Sequence, residues 1–127
     1  MPIKYKAIQR GDPGVAGGGK KKFYAVANND SETTIDDMVK EIEKFSALSE
    51  PDIRGVIIAL ENVIQNRLAN SQIVRLEKLG SLYPALSSEG RDTAEEITPD
   101  VIKSVGVNFR PGARILSAMR ASGFKKV

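Results

Sequence analysis

Alternation of apolar and polar residues predicts two β-strands near the start of the chain. Between Ile3 and Arg10, alternate residues would lie on opposite faces of a strand, and Ile3, Tyr5 and Ala7 are expected to face inward. The opposite face would carry Lys4, Lys6, Ile8 and Arg10. A second strand follows at residues 23–27, after a glycine-rich loop at residues 11–19 and three consecutive lysines. We therefore expect a β-hairpin with a long flexible tip.

A helical period replaces the strand period after Thr34. Thr34 is suited to the N-cap position, because Asp36 and Asp37 then lie in the first turn, where the helix dipole favours negative charge. The apolar residues that predict this helix of about three turns are Ile35, Met38, Val39, Ile42 and Phe45. A longer helix is predicted from Glu50 to about Asn70, with Ser49 as its N-cap.

The second helix has an apolar stripe wider than one neighbouring helix can cover. The stripe consists of Ile53, Val56, Ile57, Leu60, Val63, Ile64 and Leu68. Burial on two sides, as in a homodimer, would account for this width, and a small chain without Trp gains stability from such an interface. The predicted dimer interface is Ile53, Val56, Ile57, Leu60, Val63 and Ile64.

Strand patterns return in the last third of the chain. Residues 73–83 predict a strand interrupted at Gly80, since a glycine within a strand often marks a bulge or a close approach. Residues 87–96 are polar and predict a short connection, and residues 97–100 predict one helical turn capped by Thr98. The segment Val105–Arg114 alternates as a strand, is broken at Pro111-Gly112, and leads into a short helix at residues 113–121.

Composition narrows the possible function classes. The 127 residues predict one domain, with 41% hydrophobic and 28% charged residues, as in ordinary globular proteins. The absence of Cys and His removes thiolate nucleophiles, disulfides and the usual proton-transfer side chain, so neither an enzyme nor a cofactor or metal site is expected. With no signal-like segment and no long apolar run, a soluble, cytoplasmic protein is expected.

Cations at the ends of strands and loops are the candidate ligands for phosphate. The net charge of +3 and the pI of about 9.2 permit nucleic-acid binding without requiring it. Arg110 and Arg114 border the Pro111-Gly112 break, and Lys20 to Lys22 follow a loop that would give them reach. Each set could equally be a solvated surface. The candidate DNA-contacting residues are Arg110, Arg114, Arg75, Lys78, Lys103, Lys20, Lys21, Lys22, Lys4 and Lys6.

The order of these elements resembles the HU/IHF family of bacterial histone-like proteins. The resemblance rests on the two helices between Ile35 and Asn70, on Leu79-Gly80-Ser81-Leu82, where that family usually has Gly-Phe-Gly-x-Phe, and on Phe109-Arg110-Pro111-Gly112-Ala113-Arg114. The opening Met1-Pro2-Ile3-Lys4-Tyr5-Lys6-Ala7-Ile8-Gln9-Arg10 is similar to an HU-like subgroup typical of Bacteroidetes. The resemblance implies an α+β, HU/IHF-like fold with two helices, a three-stranded sheet with a shortened arm, and a short C-terminal helix. A hairpin extension would occupy residues 1–34, and the HU-like domain residues 35–127.

By the same resemblance, the expected function is that of a nucleoid-associated or architectural homodimer. It would bind duplex DNA through phosphate contacts with little sequence specificity, and would have no membrane or small-molecule partner. The sequence departs from the family in the connection between the arm strands, which lacks the arm-tip proline and sets four carboxylates against Arg91. These carboxylates are Glu89, Asp92, Glu95 and Glu96. The alternative is a structural or assembly module that keeps the HU-like dimer but has lost DNA binding.

Overall fold

The chain folds into three α-helices and two small β-sheets, in a computed structural model that describes residues 2–11, 14 and 16–127. The strands are β1 (Ile3–Arg10), β2 (Lys22–Ala27), β3 (Val74–Arg75), β4 (Gly80–Ser88), β5 (Ile102–Pro111) and β6 (Phe124–Lys126). The helices are α1 (Ile35–Phe45), α2 (Glu50–Ala69) and α3 (Ala113–Ala121). Short 3-10 turns occupy Ala16–Gly18, Ala94–Glu96 and Pro99–Val101. Asp12, Pro13 and Val15 of the predicted glycine-rich loop lie outside the described residues.

Residue contacts divide the chain into two units. The terminal unit combines Met1–Thr33 with Leu116–Val127, and the central unit is Thr34–Ile115. The two ends of the chain meet in the terminal unit because β6 pairs with β1 in parallel, with Ile3 opposite Phe124 and Tyr5 opposite Lys126. Neither β6 nor this pairing was predicted, since three residues are too few to show a strand period.

The terminal unit contains a three-stranded sheet of order β2-β1-β6. The predicted hairpin is present, and it pairs from Tyr5 opposite Ala27 to Arg10 opposite Lys22. One face forms an open apolar hollow of about 490 Å³, lined by Ile3, Tyr5, Ala25, Val26, Ala27 and Phe124. The expectation that Ala7 lies inward was wrong: Ala7 is exposed, because β6 reaches only as far as Tyr5 along β1.

The two helices of the central unit begin where their caps were predicted. Thr34 and Asp37 form a capping box, in which the Thr34 hydroxyl accepts the Asp37 N–H at 3.3 Å and the Asp37 carboxylate accepts the Thr34 N–H at 3.1 Å. Ser49 caps α2 in the same way by accepting the N–H of Asp52. The hydrogen bonds from the backbone and the hydroxyl of Thr34 hold the pKa of Asp37 below its ordinary value.

The second sheet, in the central unit, has the order β3-β4-β5. The prediction of one interrupted strand over residues 73–83 was wrong, because the chain reverses between Arg75 and Gly80. In this turn Leu76 donates its N–H to the Gly80 carbonyl at 2.8 Å, and Glu77 has a φ of 50°. The left-handed conformation of Glu77 makes a tight reversal where the apolar pattern alone suggested an extended segment.

The connection between β4 and β5 is also shifted from its predicted position. Strand β4 continues to Ser88, so the connection comprises residues 89–101 rather than 87–96. The predicted helical turn near Thr98 is a 3-10 turn at Pro99–Val101, and the Thr98 side chain makes no capping hydrogen bond. Strand β5 starts at Ile102 and pairs with β4 over almost its full length, giving a two-stranded arm.

Little apolar surface is buried within one chain. Among the described residues, the buried hydrophobic side chains are Val39, Ile53 and Val101. The remaining apolar residues of α2 divide into two groups: Ile57, Ile64 and Leu68 are half-buried, whereas Val56, Leu60 and Val63 are exposed. On the arm, Val105 is 77% exposed. A chain that leaves this much apolar surface uncovered is suited to association.

We predict that Thr34→Ala lowers the free energy of unfolding by about 1 kcal/mol, because it removes the acceptor for a helix N-terminal N–H group. Urea denaturation followed by circular dichroism at fixed protein concentration measures the loss. Thr33→Ala is the control, since the Thr33 side chain makes no hydrogen bond within the part of the chain that the structure describes. Equal losses in both variants would contradict the capping role.

Candidate nucleic-acid interface

Two glycines bring the turn after β3 against the end of β5. A side chain at Gly112 would overlap the carbonyl of Lys78, and one at Gly80 would overlap the carbonyl of Arg110 and the ring of Phe109. Gly80 also has a φ of 142°, a conformation that L-residues rarely adopt. The Gly112 N–H donates to the Leu79 carbonyl at 3.0 Å, so the contact is held by a hydrogen bond.

This close approach aligns two arginines across the sheet. Ser81 of β4 lies opposite Arg75 of β3 on one side and opposite Arg110 of β5 on the other. Paired residues in neighbouring strands point to the same face, and residues two apart in a strand share it. Tyr83 and its partner Asn108 therefore extend the same row. We call this set, Arg75, Ser81, Tyr83, Asn108 and Arg110, the polar face.

The Tyr83 ring lies between the two guanidinium groups. The Arg110 Cζ atom is 4.7 Å from the ring centroid and the Arg75 Cζ atom is 5.8 Å from it, within the range of cation–π contact. Arg75 Nη1 also donates to the Tyr83 hydroxyl at 3.2 Å and to the Ser81 hydroxyl at 3.3 Å. Among the described residues, neither arginine forms a salt bridge with a carboxylate. Both cations are thus oriented by neutral groups and keep their charge available for an anion.

The two arginines also change the acidity of the tyrosine. The hydrogen bond from Arg75 lowers the pKa of Tyr83, and the positive charges of Arg75 and Arg110 and a hydrogen bond with Ser81 act in the same direction. Desolvation opposes these effects without cancelling them. The phenolate form of Tyr83 is therefore favoured by the two cations beside it.

The rest of the arm has one polar side and one apolar side. On the polar side, the hydroxyls of Ser87 and Ser104 are hydrogen-bonded at 2.6 Å. The apolar side consists of Leu82, Pro84, Leu86, Val105, Val107 and Phe109. Several of these residues, with Leu68 and Ala69 of α2, line a hollow of about 480 Å³. The polar face is therefore directed away from the side that α2 covers.

Comparison with known proteins places this geometry in a family. A family model described as "HU domain fused to wHTH, Ig, or Glycine-rich motif" matches residues 1–126. The chain belongs to this HU-HIG family. A crystal structure of a "Putative bacterial DNA binding protein" from Bacteroides vulgatus ATCC 8482 is similar in fold, with a TM-score of 0.68 and 13% sequence identity. The match covers 98% of this chain and 48% of that one, so the chain spans about half of the related structure. No curated protein matches the chain.

The HU-HIG chain presents its other candidate cations at separate places in the central unit. Lys78 lies in the turn between β3 and β4, where its carbonyl faces Gly112. Lys103 lies at the irregularity where the pairing shifts from Ser87–Ser104 to Ser88–Ile102. Arg114 is exposed in the first turn of α3. Only Arg75 and Arg110 of the predicted set in this unit are brought together around one side chain.

The candidate lysines of the terminal unit lie in its sheet or just before β2. Lys4 forms a salt bridge with Asp30 at 2.6 Å, and Lys6 is exposed on the same strand. Lys20 and Lys21 precede β2, and Lys22 is its first residue. In the acidic connection of the central unit, Arg91 is engaged with Glu89 at 2.7 Å, so this cation is compensated locally.

Sequence reasoning did not identify Tyr83, Ser81 or Asn108 as part of the interface. Their positions depend on strand register, and the turn at residues 76–79 was interpreted as extended chain. A tyrosine two residues after Ser81, in a segment that also contains arginine at position 75, was the available signal. Among the described residues, no cluster of acidic side chains is arranged to hold a metal ion, and no helix is both long and apolar enough to span a bilayer.

We predict that Arg75→Gln raises the pKa of Tyr83 relative to the unsubstituted protein, because it removes the hydrogen bond that most favours the phenolate. Absorbance at the phenolate band during an alkaline titration measures the shift, and Tyr83→Phe identifies which transition belongs to Tyr83. Arg91→Gln, at the other end of the arm, is the control and should leave the transition in place. An unchanged Tyr83 transition in the Arg75 variant would contradict the observed contact.

Proposed function

We propose that this chain binds duplex DNA through its phosphates, with little sequence preference, as a nucleoid-associated or architectural homodimer in the cytoplasm. The observation that carries the proposal is the polar face, where Arg75 and Arg110 flank Tyr83 without a carboxylate partner among the described residues. Arginine forks suit phosphate oxygens, and such contacts fix position on a duplex without reading bases. Membership of a family of HU domains supports the same function.

The strand geometry supports phosphate contact over base readout. The two guanidinium groups lie on the sheet, where the Tyr83 ring contacts both of them and two hydroxyls accept hydrogen bonds from Arg75. Base discrimination in the major groove requires side chains that enter the groove on a helix or a two-stranded ribbon. Arg75 and Arg110 lie where β3, β4 and β5 pair as a three-stranded sheet, not on the two-stranded part of the arm, so we propose contact with the backbone. The protein from Bacteroides vulgatus that is similar in fold is itself described as a "Putative bacterial DNA binding protein".

Exposure of the second helix supports a homodimer. Val56 is 59% exposed and Val63 is 54% exposed, and both lie on one side of α2 at a spacing of two helical turns. Ile53, which the sequence also assigned to the interface, is buried within its own chain at 3% exposure. We therefore propose that Val56, Leu60 and Val63 form the centre of the contact, while Ile53, Ile57 and Ile64 pack mainly within the protomer.

The charge of the central unit favours a second candidate function. Between Thr34 and Ile115 the chain has ten Lys and Arg against thirteen Asp and Glu, a net charge of −3. The connection between β4 and β5 contributes several of these carboxylates and keeps Arg91 paired with Glu89. A net acidic domain repels polyanions at long range. The candidate is an assembly module that retains the dimer without binding DNA.

We predict that the double variant Arg75→Gln, Arg110→Gln weakens binding of a fluorescent duplex and makes the log–log salt slope shallower by about 1.8 for each protomer that contacts the duplex, or about 0.9 for each phosphate that an arginine no longer neutralises. Fluorescence anisotropy across a salt series provides both values. The equal-charge control is Lys40→Gln, Lys44→Gln on α1. If both double variants lose the same affinity, the loss would reflect net charge and not the positions of Arg75 and Arg110. If the unsubstituted protein does not bind DNA, the assembly module would be favoured.

We predict that Val63→Glu disrupts the homodimer, because it buries a carboxylate at an apolar contact. Sedimentation at several protein concentrations should give a dimer for the unsubstituted protein and a smaller or unfolded species for the variant. Asn62→Glu, which adds the same charge one residue away on a different side of α2, should remain dimeric. A folded monomer for the unsubstituted protein at micromolar concentration would remove the dimer proposal.

A further inference from the structure

Positive charge is segregated into the terminal unit. Its two segments, Met1–Thr33 and Leu116–Val127, contain nine Lys and Arg against three Asp and Glu, a net charge of +6. The central unit, with the HU-like helices and arm, has a net charge of −3. The basic character of the whole chain therefore arises from the small sheet formed by its two ends.

Strand register collects these cations on one face of the sheet. Even-numbered residues of β1 share a face, which includes Lys4, Lys6 and Arg10. Lys125 of β6 lies opposite Lys4, and Lys22 of β2 lies opposite Arg10, so both neighbouring strands add a cation to that face. We call this set, Lys4, Lys6, Arg10, Lys22 and Lys125, the basic face. The other side of the same sheet is the apolar hollow that contains Phe124.

One cation of β1 on the basic face is compensated by a carboxylate. Asp30 neutralises Lys4 at 2.6 Å. Within the described residues, no salt bridge involves Lys6, Arg10 or Lys125. Placing like charges on adjacent strands opposes sheet formation, so an arrangement with several uncompensated cations is stabilised when an anion covers it.

The centre of the basic face contains an aromatic ring. Tyr24 lies opposite Ile8, and both side chains are half-buried, so an apolar patch lies between Lys6 and Arg10. A polyanion that has flat apolar groups between its charges matches this arrangement better than a single small anion does. Nucleic acid has this chemistry, with phosphates along the backbone and bases that stack on aromatic rings.

We propose that the basic face is a second nucleic-acid-binding surface, which contacts the phosphodiester backbone separately from the polar face of the central unit. The proposal rests on the proposed function, because it takes nucleic acid as the partner of the chain. It assigns most of the salt-dependent affinity to the terminal unit, since that unit has the net positive charge. It also adds Arg10 and Lys125 to the residues that contact the ligand.

The test compares two full-length double variants of equal charge. Lys6→Gln, Lys125→Gln removes two cations from the basic face, whereas Arg120→Gln, Lys126→Gln removes two from the same unit, one on α3 and one on the opposite side of the sheet. Lys126 is the sharpest control, because it is adjacent to Lys125 and lies on the Tyr5 side of the sheet. Circular dichroism verifies that each variant is folded. Anisotropy with a fluorescent duplex and a single strand of the same sequence, across a salt series, gives the slopes.

The expected result is that the basic-face variant makes the salt slope shallower by about 1.8 for each protomer that contacts the DNA, at about 0.9 per phosphate neutralised on a duplex, while the control keeps the slope of the unsubstituted protein. A larger loss for the single strand in Tyr24→Ala would support base stacking on the basic face. Equal slopes for the two double variants would overturn the proposal.

The Arg75→Gln, Arg110→Gln variant separates failure of this proposal from failure of the proposed function. If only the arginine variant loses affinity, the polar face binds DNA and the basic face does not. If only the basic-face variant loses affinity, the terminal unit is the binding surface and the placement on the polar face is wrong. Absence of nucleic-acid binding, with retention on vesicles containing phosphatidylglycerol, would overturn both and assign the basic face to lipid headgroups.

Discussion

The close approach of the chain at Gly80 and Gly112 is the constraint on which the polar face depends. Strand β3 has only two residues, so it cannot hold its register by pairing alone. The turn after it is fixed against the end of β5, where a side chain at either glycine would meet backbone atoms. Because this contact is backbone against backbone, small adjustments of side chains cannot relieve it. The alignment of Arg75 with Arg110 across Ser81 follows directly from it.

Tyr83 then converts that alignment into a pair of oriented charges. Two guanidinium groups facing the same region repel each other, and carboxylate partners would neutralise them. The ring accepts both cations on a surface of negative potential, while its hydroxyl and that of Ser81 satisfy the Arg75 donors without adding charge. The result is two adjacent positive charges in a unit whose net charge is negative. The larger positive charge belongs to the terminal unit, so in the proposed function that unit supplies long-range attraction and the polar face supplies short-range contact.

The distribution of apolar side chains has a different consequence. The arm and α2 leave Val56, Leu60, Val63 and Val105 exposed in one chain, while the buried set among the described residues is limited to three side chains. A helix with apolar residues around much of its circumference requires cover on more than one side. In an obligate dimer the partner supplies this cover, and stability then depends on protein concentration. The N-caps Thr34 and Ser49 fix where α1 and α2 start, but they contribute too little to replace the apolar surface that a partner would cover.

The sequence alone determined the features that depend on neighbouring residues. Thr34 and Ser49 mark helix starts because their hydroxyls accept N–H groups three residues further on. Helix α3 begins after Pro111-Gly112, where proline restricts the backbone conformation and glycine relaxes that restriction. The HU-like family was also recognisable from the order of elements. Tertiary structure alone decided the turn at residues 76–79, the pairing of β6 with β1, and the position of Tyr83 between two arginines. These features join residues far apart in the chain, and a short segment such as Phe124–Lys126 becomes a strand only because a distant edge offers hydrogen-bond partners.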